Sequence, residues 1–166
     1  MSLLEAERTL ISAQPFSGSR TIYTVPAGTR LRLELLSFRL VTTAAAAPHT
    51  PELLFVSQSG AMIMRLQDMD EIGASATVDT TFGIGLTPFS CLTASGMASR
   101  AELPDTVLES GATITLRSVD AAGVVIAADA FTLVSLWGVQ LGAGGAVVGL
   151  DLLPEVVLMP TGAAGV

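Results

Sequence analysis

The sequence contains no lysine, one cysteine and one histidine, and only 14% of its residues are charged. An ordinary soluble domain carries about 25% charged residues. Eight arginines stand against fifteen acidic residues, so the net charge is −7, and the arginines form no cluster. Because phosphate backbones are bound by clustered positive charge, we expect no nucleic-acid partner.

Residues that support catalysis are equally scarce. The lone Cys91 excludes an internal disulfide, and we expect it to be a buried structural thiol. His49 lies in a loop flanked by Pro48 and Pro51, with no nucleophile motif or zinc-binding motif near it. A Ser–His–Asp or Cys–His arrangement assembled in space stays open. We predict that His49 is an exposed loop residue, that the protein is not an enzyme and that it holds no cofactor.

Two further features bear on ligands. Asp68, Asp70 and Glu71 offer the oxygen ligands that Ca²⁺ takes, but the glycine and distal glutamate of an EF-hand loop are missing. A solvated acidic turn is the preferred interpretation, and cation binding is left open. Aromatic residues make up only 5% of the chain, and Trp137 lies in an apolar run, so we assign it to the core or an interface rather than to a sugar-binding platform.

The sequence is apolar without offering a convincing membrane segment. Glu5 and Glu7 occupy the region that a secretory signal would make basic and then apolar, so we expect no signal peptide. The stretch from Ala121 to Leu141 is long enough to span a bilayer, but Asp129 lies near its middle and no basic residue flanks it. We expect no membrane partner.

Half of the residues are nevertheless apolar, and the mean hydropathy is +0.63. Interfaces between identical subunits are depleted in charge and rich in apolar contacts. The composition therefore favours a homo-oligomer.

Short apolar runs separated by Gly, Pro, Ser and Asp turns, with no long stretch of helical period, predict an all-β protein. The number of runs fits an antiparallel two-sheet β-sandwich of jelly-roll type. Only the segment from Leu4 to Leu10 has a mildly helical pattern. The predicted strands are Arg20 to Val25, Arg30 to Thr42, Glu52 to Gln58, Ala61 to Leu66, Thr77 to Gly83, Thr87 to Thr93, Thr106 to Glu109, Thr113 to Val119 and Val124 to Val139.

The long strand after Gly28 changes phase. Under strict alternation one face carries Leu31, Leu33 and Leu35, and the other carries Leu36, Phe38 and Leu40. This predicts a β-bulge near Leu35 and Leu36, or a strand that passes from one sheet packing to another. Arg30 and Arg32 share a polar stripe with Glu34 on this strand. The stripe is either solvated or paired across an interface.

We divide the chain into an N-terminal arm (residues 1–18), a β-sandwich domain (residues 19–140) and a C-terminal arm (residues 141–166), which is rich in Gly and Ala with apolar insertions. The arms and the arginine stripe supply the predicted interface. Its residues are Leu3, Leu4, Arg30, Arg32, Leu152, Leu153, Val156, Val157, Leu158 and Met159.

Two segments carry a resemblance to a known family. In TIYTVPAGTRLRLELLSFRLV (Thr21 to Val41) and LPDTVLESGATITLRSVD (Leu103 to Asp120), a glycine turn at Gly28 or Gly111 precedes an alternating strand. Together they resemble the small jelly-roll virion proteins of tailed bacteriophages, and among these the capsid decoration, or cement, proteins.

The resemblance implies a structural protein that forms homo-oligomers, often trimers, and stabilises the head shell by bridging major capsid subunits. It also implies a position on the outer surface of the capsid, after assembly in the host cytoplasm. A neck or tail connector, another virion ring protein, and a receptor-binding or sugar-binding sandwich module are the alternatives, and a hydrolase is the least supported.

Overall fold

A computed structural model describes residues 8–45, 48–68, 71–94 and 96–142. Within these ranges the chain is all-β, as predicted, and no helix there is long and apolar enough to cross a bilayer. The strands are β1 (Arg8–Ala13), β2 (Phe16–Ser17), β3 (Ser19–Thr24), β4 (Thr29–Val41), β5 (Thr50–Val56), β6 (Met62–Gln67), β7 (Thr77–Gly83), β8 (Phe89–Thr93), β9 (Gly96–Glu102), β10 (Val107–Leu108), β11 (Thr113–Val119) and β12 (Ala130–Gly142).

The strands form two sheets, which confirms the predicted sandwich. The large sheet has the order β1-β12-β4-β7-β9-β8, with β2 also pairing with β12 and β10 with β4. The small sheet has the order β3-β11-β5-β6. Neighbours are antiparallel except β7 and β9, which run parallel because β9 inserts between β7 and β8.

The core lies between the sheets and is lined by both. Phe38, Phe82 and Phe131 from the large sheet join one cluster with Phe55 and Leu116 from the small sheet. The ring of Phe38 stacks at 6.2 Å from that of Phe82 and meets Phe131 edge-on at 5.4 Å. Full burial of such a side chain contributes about 1.5–3 kcal/mol, so this cluster holds the two sheets together.

The predicted phase change of β4 is confirmed. Leu33 and Leu36 both face the core, which strict alternation forbids. Consecutive residues of β12 lie opposite Leu35 and Leu33, so Glu34 is the extra residue of a β-bulge. The bulge lets both halves of this long strand bury their leucines.

The two predicted glycine turns are also confirmed, and they are neighbours. Gly28 and Gly111 have φ values of +73° and +77°, in the left-handed region that suits glycine. The Gly28 N–H donates to Ser110 Oγ at 3.2 Å, and the Gly111 N–H donates to the Val25 carbonyl at 2.9 Å. The similar strand entries thus lie side by side.

Two predicted elements differ from the structure, and strand β9 was not predicted. The helical pattern from Leu4 to Leu10 gives way to β1 from Arg8 onward, because pairing with β12 overrides a short local preference. Strand β9 was missed because its buried positions carry the small residues Ser99 and Ala101, which give no large apolar alternation. The strand predicted to begin at Val124 begins at Ala130, because the Asp120 carboxylate accepts the N–H groups of Ala122 and Val124 and closes a turn there.

The described part of the predicted N-terminal arm, residues 8–17, lies along β12 as β1 and β2. The predicted C-terminal arm beyond residue 142 lies outside the described residues.

Candidate interaction surfaces and a buried polar network

Arg30 and Arg32 lie on the outer face of β4 and are paired within the chain. Arg32 Nε and Nη2 each donate to the Asp105 carboxylate at 2.7 Å, and Arg30 Nε donates to Glu109 Oε2 at 2.9 Å. The hydrogen bond from Arg32 lowers the pKa of the Asp105 carboxyl below its ordinary value. Because β10, which lies between the two acidic residues, pairs with β4, the stripe is an ion-paired surface of one chain.

The remaining predicted interface residues lie outside the described residues. They are Leu3, Leu4, Leu152, Leu153, Val156, Val157, Leu158 and Met159.

The outer face of β12 presents two large apolar side chains. Leu133 is 67% exposed and Trp137 is 41% exposed, so the assignment of Trp137 to the core was wrong and its place in an interface stays a prediction. Leu133 has φ +52° and lies where the ladder with β4 is irregular. A left-handed backbone costs a non-glycine residue about 1–2 kcal/mol, so this apolar side chain is held out to solvent at a cost.

Strand β8 is the open edge of the large sheet. All five of its residues, Phe89–Thr93, are exposed, and Leu92 is 89% exposed. Cys91 is exposed as well, so the prediction of a buried thiol was wrong, because an edge strand lacks a neighbour on one side. The signal that sequence reasoning passed over is the absence of any charged residue from Thr80 to Ser99.

His49 was predicted to be exposed but is fully buried. Its backbone pairs in both directions with Ile72, at 2.9 and 3.0 Å, and this bridge turns the ring inward. Nδ1 lies 2.7 Å from Asp129 Oδ2, and Nε2 lies 3.2 Å from the Ala45 carbonyl oxygen. Both ring nitrogens therefore have oxygen partners.

Asp129 is the centre of this buried network. It accepts hydrogen bonds from Ser118 Oγ at 2.6 Å, from the Thr43 N–H at 2.9 Å and from Thr43 Oγ1 at 3.2 Å. Burial by itself raises the pKa of this carboxyl, but the hydrogen bonds from Ser118, Thr43 and His49 outweigh it, and the pKa lies below its ordinary value. One carboxylate thus joins the loop after β4, the end of β11 and the start of β12.

The three residue types of a hydrolase meet here without forming its triad. A catalytic histidine bridges the serine and the acid, whereas Ser118 and His49 both bind the same oxygen of Asp129. All three side chains are fully buried. This geometry joins strands rather than presenting a nucleophile.

The prediction of a solvated acidic turn was wrong for Asp68. Asp68 is 5% exposed and accepts hydrogen bonds from Thr80 Oγ1, at 3.4 Å, and from Ser99 Oγ. Its backbone N–H donates to the Pro51 carbonyl at 3.3 Å, which carries the residue inside. Glu71 is exposed and Asp70 lies outside the described residues. The described part of the chain contains no group of three residues able to hold a metal ion.

Glu52 is a further buried carboxylate that sequence reasoning missed. The Glu52 side chain is 0% exposed and lies between two arginines of neighbouring strands. Arg117 Nε donates to Oε2 at 2.6 Å, and Arg65 Nε contacts Oε1. Because Glu52 lies opposite Arg117 in the ladder, the pair becomes visible only when the register of β5 and β11 is known.

No family model matches the chain, and no curated protein matches its sequence. Among solved structures, the VP2 subviral particle of infectious bursal disease virus is similar with a TM-score of 0.41 and 11% identity, over 85% of this chain and 34% of that one. The T13 viral particle of the same virus gives a TM-score of 0.41 and 10% identity, over 85% of this chain and 32% of that one. The chain thus spans about a third of the length of these proteins.

Proposed function

We propose that the protein is a structural virion protein of the capsid decoration, or cement, type. It self-associates and stabilises the head shell by bridging major capsid subunits on the outer surface. The observation that carries the proposal is a sandwich with a complete core that still presents large apolar side chains to solvent, above all Leu92 and Leu133. Such side chains are suited to contacts with other protein subunits.

Charge supports the same role. A protein on the outside of a capsid has no need to neutralise packaged DNA, and this chain is acidic with no basic block. The resemblance of Thr21 to Val41 and Leu103 to Asp120 to jelly-roll virion proteins supports it as well.

The energy of attachment would come from apolar burial, at about 25 cal/mol per Å² removed from water. Each contact can be small, since the same contact recurs at every position of the lattice. Exposed apolar side chains on rigid strands meet this need without any chemistry.

The test is quantitative mass spectrometry of purified virions of the virus that encodes this chain, combined with light scattering on the isolated chain. A copy number that matches the shell lattice supports decoration. A small fixed ring contradicts decoration and favours a connector of the neck or tail. Absence from the particles contradicts both roles.

The C-terminal arm is expected to make the capsid contact. A chain that lacks Leu150 to Val166 should keep its folded sandwich, measured by thermal unfolding, and should fail to attach to particles. Normal attachment of this truncated chain would contradict the role assigned to the arm.

A further inference from the structure

We propose that β8 pairs with β8 of a second copy of this chain, antiparallel and around a twofold axis, so that the two large sheets become continuous. The inference deepens the proposed self-association and rests on it. It names the surface and the partner.

The first observation is the open ladder. Strand β8 pairs only with β9 among the described residues, so no described strand forms a ladder with its other side. Natural edge strands are guarded by lysine, other charges or proline. Pro88 stands just before the strand, but the five residues Phe89–Thr93 include no charged residue and no proline.

The second observation is on the core-side face of the edge. Leu92 lies opposite Met97, which packs against the core, so Leu92 belongs to the face that the small sheet covers elsewhere. Its 89% exposure shows that this cover ends before β8. A groove of about 410 Å³ opens beside it, lined by apolar Leu92, Ala76 and Met97 and also by the exposed carboxylate of Glu71. The edge therefore offers exposed apolar side chains beside main-chain groups that β9 does not pair with.

Charge selects a second copy as the occupant. Two copies of net charge −7 repel each other, and a contact through β8 adds no like-charge pair of its own, because no charged residue lies between Thr80 and Ser99. A partner of opposite charge would find nothing on β8 to pair with. Two uncharged edges can meet without placing like charges together.

The strand also complements itself. In an antiparallel pair centred on Cys91, Phe89 lies opposite the second copy's Thr93 and Ser90 lies opposite its Leu92. The two Leu92 side chains then lie diagonally across the axis on one face, within reach of each other. A twofold contact of this kind is closed and uses one surface twice.

The pairing makes a direct prediction for the sole cysteine. Cα atoms of directly opposed residues in an antiparallel ladder are about 4.5–5.5 Å apart, which lies within the range of about 4.4–6.8 Å seen in disulfides. Diamide, which is reduced as it oxidises two thiols to one disulfide, should link two chains through Cys91. The linked species has twice the mass of the 17.0 kDa chain.

The experiment compares the full chain with two variants at exposed positions. Leu92→Lys places a charge on each side of the axis and should halve the molar mass measured by light scattering. Val124→Lys, at a turn residue that is 61% exposed, should leave the mass unchanged. For cross-linking, the control carries Cys91→Ser with Ala122→Cys, which moves the thiol to that exposed turn.

Rapid linkage through Cys91 together with dissociation of Leu92→Lys would establish the contact. An assembly that Leu92→Lys leaves intact, or linkage no faster than in the control, overturns the β8 pairing while leaving self-association in place. A wild-type chain that stays a monomer at every concentration overturns both.

Discussion

His49 Nδ1 and Asp129 Oδ2 are 2.7 Å apart, and neither side chain reaches solvent. His49 lies just before β5 of the small sheet, and Asp129 lies just before β12 of the large sheet. The contact therefore holds together the first residues of one strand from each sheet. At this end of the sandwich the two sheets are joined by buried polar side chains rather than by apolar ones.

Replacing Asp129 with asparagine should destabilise the fold strongly. Both carboxylate oxygens accept hydrogen bonds in this network. Asparagine replaces one of them with an NH2 donor that faces other donors, and each buried polar group left without a partner costs about 1–3 kcal/mol. The measurement is the free energy of unfolding in urea. Asp105→Asn is the matched control, since it removes an exposed carboxylate and should change stability little. Equal effects of the two substitutions would contradict a structural role for the network.

Stability should fall at acid pH through the same carboxyl. The pKa of Asp129 is lowered in the folded chain, so around and below the ordinary value of 3.8 the unfolded chain binds more protons than the folded one. Its contribution is complete above about pH 5 and is lost as the pH falls through the folded pKa. The free energies of unfolding in urea of wild type and Asp129→Asn should therefore approach each other as the pH is lowered from about 5. A difference that stays constant would show that Asp129 does not titrate in this way.

Loss of Arg117 should cost far more than loss of Arg30. Arg117→Gln removes one of the two arginines that contact the buried Glu52 carboxylate. Breaking a buried ion pair by removing one partner costs about 3–5 kcal/mol, and because Arg65 still contacts Glu52 we expect the low end of this range. Arg30→Gln removes an exposed ion pair with Glu109 and should stay within about 1 kcal/mol of wild type. Thermal and urea unfolding of both variants measure the difference. Similar losses of stability in the two variants would mean that water solvates the Glu52 carboxylate once Arg117 is removed.

Leu133→Gly should separate stability from assembly. Glycine adopts the φ of +52° found at this position without the cost to a leucine, so the free energy of unfolding should rise by up to about 1 kcal/mol. Self-association or particle attachment should weaken, because the exposed side chain is gone. Ser75→Gly, at φ +54°, relieves the same strain without removing an apolar side chain and should leave assembly unchanged. Full attachment of Leu133→Gly would remove Leu133 from the proposed contacts.

The sequence predicted much of the fold because alternation is a local signal. Strands β7 and β11 were predicted with the bounds observed, and the phase of β4 revealed its bulge. Burial set by distant partners was not predictable. His49 is buried by Ile72 and by Asp129, which lies 80 residues away along the chain. Cys91 is exposed because β9 inserts between β7 and β8.

For the candidate surfaces, too, local features were predictable from the sequence and distant partners were not. Arg30 and Arg32 were placed correctly on one polar face, since alternation fixes which side chains share a side of a strand. Their ion pairs with Asp105 and Glu109 form because β10 pairs with β4, and no local sequence pattern predicts that pairing.

The position of β12 has a consequence for how the chain folds during synthesis. It is the last described strand, yet it lies between β1 and β4 in the large sheet. Until residues 130–142 have left the ribosome, β4 has an open edge along most of its length and β1 has nothing to pair with. Pairing over such separations is slow and exposes partly folded chains to aggregation. Fragments that end before Ala130 are therefore expected to be captured by chaperones or to precipitate.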